Sequence, residues 1–405
     1  MTARQVMAAV AFLLASNILF SCGGSQTSSA PPPNPSPGAD CATAAYFPCQ
    51  QGWLGADGAY SVPLGNGSIL WIFADTFVGA ATASSRTQSN GFIHNSIAIS
   101  TCSGQSCSYQ YYWTGMNTPN QGPVFSVPGS STDWFWPMDG FVYNGTLYLA
   151  LMQMHSTGSG GAFGFAYSGA QLASIQNYTA SPSQWAISYQ TLNTGGSAVP
   201  GASIVVGQGP SGNPDPSNPQ GANYAYFFTV VAAISSSTPP SMGLLRLPLT
   251  QLNTATRPGN TGWEYFKTDS TWGSWLHTDT ALPSDNAPVI NPGATEMTVR
   301  YHSSTNQWIA VYPLGLNNKA YYAISSSMTS SWGQSQALYT YPEMQAGNPN
   351  YTSNVFCYAA KEHTELELAG QLVFTYACNS TQASDVTDNM NLYRPMVVQQ
   401  PLPTM

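Results

Sequence analysis

The chain has 405 residues and a formal net charge of −8, and only 6% of its residues are Asp, Glu, Lys or Arg. So few basic residues exclude the electrostatic surface of a nucleic-acid-binding protein. The surface must be built largely from Ser, Thr, Asn, Gln, Gly and Tyr. Such a surface suits a neutral glycan partner, although it also suits an extracellular protein of any other function.

The N-terminus carries the pattern of an export signal. A short basic start precedes an apolar run that is too short and poorly flanked for a membrane-spanning helix. The run ends in LFSC at residues 19–22, the form of a bacterial lipobox whose cysteine is acylated. We expect residues 1–22 to be a lipoprotein signal peptide, with an ordinary secretory signal as the alternative. The protein is then anchored by lipid at Cys22 on the bacterial cell envelope or surface, or else secreted.

The next segment, residues 23–40, is rich in Pro, Ser and Gly and predicts a solvated tether. With Cys22 assigned to lipid, six of the seven cysteines remain, and an even number outside the cytoplasm favours disulfides. No CxxC spacing supports zinc as the alternative. Proximity in the sequence favours the pairs Cys41–Cys49, Cys102–Cys107 and Cys357–Cys378.

The rest of the chain has the pattern of an all-β domain. Short runs rich in Val, Ile, Tyr, Trp, Phe and Thr alternate with clusters of Gly, Pro, Asn and Ser. The runs form five groups, four of them with four runs, which is the organisation of propeller blades. The fifth group has three, and we expect residues 42–50 to complete it. The sequence therefore predicts one five-bladed β-propeller over residues 41–405, with a two-sheet sandwich as the alternative.

The position of a run within its group predicts where it lies. The second run of each group is the most apolar, as expected of a strand covered on both faces. The first run should then line the central channel, where a propeller forms its pocket. The polar groups expected near that pocket are Asp57, Asp139, Glu296, Glu362 and His363.

One further carboxylate, Asp75, lies late in the apolar run SILWIFADTF. Antiparallel pairing puts the end of this run beside the start of the preceding one, which makes Asp75 a neighbour of Asp57. Two close carboxylates raise each other's pKa. With a third across the cavity, they supply the proton donor and the nucleophile or base that glycosidic cleavage requires. The alternative is that Asp57 shapes a turn and Asp75 caps a strand end.

Five long segments extend this pattern to a known family. They resemble a bacterial family filed as domain of unknown function 4185, and together they span nearly all of the folded region: GWLGADGAYSVPLGNGSILWIFADTFVG, FIHNSIAIS, WFWPMDGFVYNGTLYLALMQM, ATEMTVRYHSSTNQWIAVYP and YAAKEHTELELAGQLVFTYACN. The resemblance implies an endo-D-arabinanase-like glycoside hydrolase with a five-bladed propeller fold. The substrate so implied is the α-D-arabinan of bacterial cell walls.

The resemblance also implies roles for the acidic residues. By analogy Asp57 is the base or nucleophile, Glu296 the general acid and Asp75 a partner that tunes Asp57, although these roles could be permuted. Asp139 fits the pKa modulator of related arabinanases. Those enzymes carry the acid on the third blade, but the run GASIVVGQG of this chain has no carboxylate, so retention or inversion stays open.

The remaining expectations concern ligands. Asn95 offers an amide to a sugar hydroxyl, and Trp136 and Trp53 offer rings for stacking, but all three could instead serve packing. His363 could hold a structural cation in the channel, as in related propellers, but a lone histidine is more often a hydrogen-bonded core residue. We therefore expect no required cofactor and a monomer that binds polysaccharide. The rival hypothesis is a non-catalytic glycan-binding propeller.

Overall fold

A computed structural model describes residues 41–103, 106–158, 164–207, 223–231, 239–252, 262–330 and 332–404. The signal peptide, the tether and the lipidation site Cys22 lie outside these residues and stay predictions. Among the described helices, none combines the length and the apolar character needed to cross a membrane.

The described residues are mostly strands. In chain order, the first seven are β1 (Trp53–Ala56), β2 (Tyr60–Pro63), β3 (Ser68–Phe73), β4 (Thr76–Gly79), β5 (Ser89–Ile93), β6 (Ser96–Ser103) and β7 (Ser106–Tyr112). The next nine are β8 (Asp133–Tyr143), β9 (Thr146–Ser156), β10 (Phe165–Ile175), β11 (Ile187–Asn193), β12 (Val199–Gly207), β13 (Tyr224–Val230), β14 (Met242–Pro248), β15 (Glu264–Phe266) and β16 (Trp272–Ser274).

The last seven strands are β17 (Thr298–His302), β18 (Gln307–Pro313), β19 (Lys319–Ser325), β20 (Gln336–Thr340), β21 (Val355–Glu362), β22 (Gln371–Ser380) and β23 (Met396–Pro401). Helical structure is limited to short pieces. The described residues contain one α-helix, α1 (Ala383–Asp388), and the 3₁₀ turns Cys41–Thr43, Arg86–Gln88, Pro182–Gln184, Leu249–Gln251, Pro342–Met344 and Thr364–Leu366.

Five antiparallel sheets follow one another along the chain. Their strand orders are β2-β3-β6-β7, β8-β9-β10-β11, β12-β13-β14-β15-β16, β17-β18-β19-β20 and β21-β22-β23. The first strand of each sheet packs beside the first strand of the next, from β2 through β8, β12 and β17 to β21. The ring closes where Ser61 of β2 meets His363, just after β21, with Ser61 Oγ 2.8 Å from His363 Nδ1. The protein is a five-bladed β-propeller, and the predicted fold class is confirmed.

The second strand of each blade is buried on both faces, as its apolar sequence predicts. Nearly every residue of β3, β9, β13, β18 and β22 is buried. These strands pack between neighbouring blades, so they lose the alternation of a half-exposed strand. The first strands are left to line the channel, where their polar side chains meet.

One expectation about ring closure was wrong. Residues 42–50 add no strand to the fifth blade, which has three. Phe47 of this segment packs on the first blade instead, with its ring 4.8 Å from that of Trp71 and 5.8 Å from that of Phe73. A large aromatic ring gains more by filling this core than a short segment gains by pairing at a sheet edge.

The six cysteines of the folded part form three disulfides in the structure, Cys41–Cys49, Cys102–Cys107 and Cys357–Cys378. The last two join residues that lie opposite each other on neighbouring strands. Each bond therefore reinforces a pairing that the sheet already makes.

Candidate active site

The first blade continues into a second, smaller sheet, and polar side chains lie where the chain passes from one sheet to the other. A small sheet, β1-β4-β5, continues the first blade at one end of the channel. The chain passes between the two sheets at Asp57, at Asp75 and at His94. The amide of Ala74 donates to the carbonyl of Asp57 at 3.1 Å, and that of Asp57 to the carbonyl of Asp75 at 3.4 Å. The neighbours predicted from antiparallel pairing are thus adjacent.

Glycine makes the first of these passages, at Asp57, feasible. Gly58 has φ of +85°, and a Cβ there would lie 2.8 Å from the amide nitrogen of Ala74. Any other residue would push the two strands apart. The Asp57-Gly58 pair therefore shapes a turn, as the structural alternative held, but the turn also directs the Asp57 side chain into the cluster described next.

Asp57 is held by two tyrosines. The hydroxyl groups of Tyr358 and Tyr393 both donate to its Oδ2, the latter at 3.3 Å. Its Oδ1 is buried and has no hydrogen-bond partner among the described residues. Burial, followed by the negative charges of Asp75 and Glu296, raises the pKa of Asp57 to about 8. Asp57 therefore holds a proton at neutral pH.

Asp75 is oriented by two ring N–H groups. Its Oδ1 accepts from His94 Nδ1 at 2.9 Å and from Trp136 Nε1 at 2.9 Å. Trp134 stacks on the His94 ring with centroids 4.4 Å apart. The Asp75 side chain keeps 19% of its area exposed, so it is fixed without being sealed.

Glu296 reaches the cluster from the start of the fourth blade. Lys361 of the fifth blade donates to its Oε1 at 2.8 Å, and 29% of the Glu296 side chain stays exposed. Lys361 itself is fully buried, with its ammonium 4.5 Å from the centre of the Tyr60 ring. Its direction follows from a bulge in β21 between Tyr358 and Lys361, where Ala359 has φ of +58°.

The structure therefore brings Asp57, Asp75 and Glu296 together at one end of the channel. The charges of Asp75 and Glu296 both act on Asp57, and the positive charge of Lys361 acts on it in the opposite direction. Asp57 holds a proton, and Asp75 and Glu296 accept hydrogen bonds from N–H donors. Acid and base catalysis needs such a pairing of a protonated carboxyl group with carboxylates.

Asp139 lies apart from this cluster, deeper in the channel. It is fully buried and forms a two-point ion pair with Arg300, at 2.9 and 3.1 Å. Ser203 Oγ and the amides of Ile204 and Gly140 complete its hydrogen bonds. With all of its lone pairs used by protein donors, Asp139 links the second, third and fourth blades and offers nothing to a sugar.

Two candidates for sugar binding are packing residues in this structure. Asn95 is fully buried, and its amide bonds the carbonyls of Phe125 and Phe135 and the amide of Phe125. Trp53 is fully buried and stacks on Tyr111 at 4.6 Å. Trp136 remains partly exposed beside Asp75 and stays a candidate for contact with substrate.

Glu362 and His363 are also fully buried. His363 has Nδ1 2.8 Å from Ser61 Oγ and Nε2 2.8 Å from Thr375 Oγ1, which leaves neither ring nitrogen for a cation. Burial lowers the pKa of His363 well below its ordinary value, so the ring is neutral. His363 is therefore a hydrogen-bonded core residue, which was the alternative to a cation ligand. The Glu362 side chain contacts His302 and points away from the carboxylate cluster.

Several residues of the site carried no sequence signal. His94, Tyr358, Lys361 and Tyr393 reach the carboxylates from separate parts of the chain, and no local spacing links them. Of these, Lys361 comes nearest to a sequence signal, because it is one of only nine Lys and Arg residues and lies in the inner strand of the last blade. Nothing in the local sequence identifies Glu296 as its partner across the blade boundary.

Arg86 fixes the position of Tyr393. Its buried guanidinium donates to five backbone carbonyls, those of Leu54, Val386, Asn389, Leu392 and Tyr393. A Cβ at Gly55 would lie 2.4 Å from Arg86 Nη2, so this arrangement requires glycine there. Arg86 thus ties the C-terminal segment to β1 and keeps a Tyr393 hydroxyl at Asp57.

Comparisons with known proteins give one family and one fold. The model of a family described as "Domain of unknown function (DUF5005)" matches residues 40–202 and 250–400. The resemblance to domain of unknown function 4185 stays a prediction. The comparison with curated proteins found no match.

Among solved structures, the chain is similar to a candidate hydrolase from Bacteroides ovatus ATCC 8483, with 17% identity, 86% of each chain covered and a TM-score of 0.62. This likeness shows the same fold. A xylan β-1,4-xylosidase from Bacillus halodurans C-125 matches at 11% identity, 88% of this chain, 54% of that chain and a TM-score of 0.44. A GH43_1 enzyme from Xanthomonas citri matches at 12% identity, with 86% and 88% covered and a TM-score of 0.42.

Proposed function

The chain belongs to the family described as domain of unknown function DUF5005, and we propose that it is a glycoside hydrolase acting on an extracellular polysaccharide. The observation that carries this proposal is the meeting of Asp57, Asp75 and Glu296 at one end of the propeller channel. The rival, a propeller that only binds glycans, needs no carboxyl group with a raised pKa beside two fixed carboxylates. The hydrolase fold neighbour is consistent with the proposal, although a fold alone does not fix a function.

The charges favour one assignment of roles. Asp57 holds a proton at neutral pH and is suited to donate it to the leaving oxygen of the glycosidic bond. Glu296 is paired with the Lys361 ammonium and is suited to act as nucleophile, or as base for a water. Asp75 is held by His94 and Trp136 beside Asp57, and its carboxylate helps to raise the pKa of Asp57. This exchanges the roles of Asp57 and Glu296 that the family analogy implies.

Aromatic rings beside the carboxylates are suited to sugar faces. Trp134 and Trp136 are partly exposed next to Asp75. Phe92 is 49% exposed and packs against Phe77, with ring centroids 4.8 Å apart, and its ring lies 6.4 Å from that of Tyr393, which donates to Asp57. Exposed rings beside the carboxylates are suited to stack on sugar faces, and we propose endo-action because of the sequence resemblance. Within the class we propose a furanose-rich polysaccharide, with α-D-arabinan first because of the sequence resemblance.

Incubation with polysaccharides tests the activity itself. We expect the purified protein to release oligosaccharides from α-D-arabinan, with L-arabinan and xylan as the comparison substrates, and chromatography of the products would detect them. Release of oligosaccharides from another glycan, but not from α-D-arabinan, would support the hydrolase activity and change the proposed substrate. Binding to a glycan without any release from it would instead establish the rival.

The pH dependence of kcat/KM tests the assignment of Asp57. If Asp57 is the proton donor, activity falls as the pH rises through about 8, because the carboxyl group loses its proton there. Asp75→Asn removes a negative charge that raises this pKa, so the alkaline limb should move to lower pH by about one unit. Tyr358→Phe removes a hydrogen bond that lowers the same pKa, so the limb should move the other way. Activity that rises through pH 8 would make Asp57 the base.

A further inference from the structure

A second cluster of ionisable groups lies at the opposite end of β17 from Glu296. His302 ends β17, Glu362 ends β21, and Glu367 follows the 3₁₀ turn Thr364–Leu366. The strand from Thr298 to His302 spans about 13 Å at the usual rise per residue, so His302 lies well away from Glu296. The amide of Glu362 bonds Thr298 Oγ1, but its side chain points along β17 to His302. None of its members takes part in the proposed reaction.

Both ring nitrogens of His302 face carboxyl groups. Nε2 lies 2.7 Å from Glu362 Oε1, and Nδ1 lies 3.7 Å from Glu367 Oε2. One ligand atom from each residue lies within 4.8 Å of the other two. Three donor atoms this close can reach a single ion with a small adjustment of the side chains.

The cluster leaves acceptors without donors. Glu362 is fully buried, and its Oε2 has no hydrogen-bond partner within the described ranges; the same is true of the buried Oε1 of Glu367. The nearby guanidinium of Arg300 is occupied by Asp139 and Ser203. A buried carboxylate oxygen without a donor is strongly unfavourable, so some positive charge must satisfy it.

A proton and a metal ion are the two candidates. One proton shared by the two carboxyl groups bonds them to each other while the His302 ring donates to Glu362, but it leaves one negative charge buried in the cluster. A divalent cation accepts both carboxylates and the imidazole, and two carboxylates balance its charge. An imidazole beside carboxylates favours a borderline transition metal over Ca²⁺ or Mg²⁺, which prefer oxygen ligands alone.

We propose that His302, Glu362 and Glu367 form a structural site for a divalent transition-metal ion, Zn²⁺ being the best match. The ion joins the inner strands of the fourth and fifth blades and fixes the turn that follows β21. It stabilises the ring at a distance from the carboxylate cluster, so binding is independent of whether the protein cleaves a glycan.

Zinc binding to the intact chain after removal of metal by a chelator tests the site. We expect one Zn²⁺ per chain by equilibrium dialysis and a rise in the thermal unfolding midpoint on addition of Zn²⁺. Glu367→Gln, at the more exposed ligand, should fold and weaken binding at least about tenfold. His302→Gln should do the same, and the matched control His155→Gln, far from the cluster in β9, should bind as the unmodified chain does.

Three outcomes would overturn the site. The first is no binding of Zn²⁺ by the folded chain, which would leave the shared proton as the solution. The second is binding that Glu367→Gln and His302→Gln leave unchanged, which would place the ion elsewhere. The third is a preference for Ca²⁺ over Zn²⁺, which would contradict the imidazole as a ligand.

Discussion

Replacement of Asp57 by asparagine should abolish catalysis and at the same time stabilise the protein at pH 8. Asparagine keeps the shape of the side chain and an oxygen that accepts from Tyr358, but it carries no proton for a leaving group. We expect kcat/KM on the cleaved glycan to fall about 10³-fold, the range of a lost general acid.

The gain in stability follows from proton linkage. The pKa of Asp57 is raised to about 8 in the folded protein and is ordinary in the unfolded chain. Between those values the folded state binds the proton more tightly, so stability is full below about pH 4 and falls by about 1.4 kcal/mol per pH unit above it. Asp57→Asn does not lose this stability, because asparagine binds no proton in this pH range. Its free energy of unfolding should exceed that of the unmodified protein by a few kcal/mol at pH 8 and match it at pH 4.

Urea unfolding at the two pH values measures this difference, and Asp133→Asn is the matched control. Asp133 begins β8 and accepts a hydrogen bond from Gln153, and it is not among the groups that shift the pKa of Asp57. The control should retain activity and show no pH-dependent gain. A variant of Asp57 that loses activity because it unfolds would make this residue architectural. One that folds and remains active would remove it from the catalytic set.

The sequence predicts those parts of the protein that depend on local pattern. Five groups of apolar runs predict five blades, and the loss of alternation in the second run of each group predicts burial on both faces. The adjacency of Asp57 and Asp75 follows from antiparallel pairing alone, and the approach of Glu296 follows from its place before an inner strand. These inferences need only the period of a strand and the order of the strands.

The partners of each polar side chain are set by other blades, and local pattern does not contain them. Asp139 and Glu296 both lie on or near inner strands, yet Arg300 neutralises one in the core and Lys361 holds the other at the mouth. A bulge in β8 between Pro137 and Gly140, and another in β21, decide these directions. Asn95 and His94 are neighbours in sequence, but one bonds backbone in the core and the other bonds Asp75.

The ion pair between Asp139 and Arg300 should dominate stability without taking part in catalysis. Arg300→Met leaves a carboxylate that is fully buried without its counter-charge, which should lower the free energy of unfolding by about 3–5 kcal/mol. Asp139→Asn should also be strongly destabilising, because the Arg300 charge is then left in the channel. Urea unfolding would measure both, with Lys267→Met as the control with a small effect, because Lys267 is partly exposed and pairs with the exposed carboxylates of Asp269 and Asp285.

Asp139→Asn and Arg300→Met also decide between two roles for Asp139. If Asp139 modulates the pKa of the general acid, as the arabinanase analogy implies, Asp139→Asn lowers activity while the fold stays intact, and the pH profile of activity shifts. If it is the link between blades that its contacts describe, the folded fraction of Asp139→Asn keeps its kcat and its alkaline limit near pH 8. The double variant Asp139→Asn/Arg300→Met removes both charges and keeps a side-chain oxygen that accepts from the amide of Ile204. It should then recover part of the lost stability, because neither charge is left buried without its partner. A double variant no more stable than Arg300→Met alone would contradict the assignment.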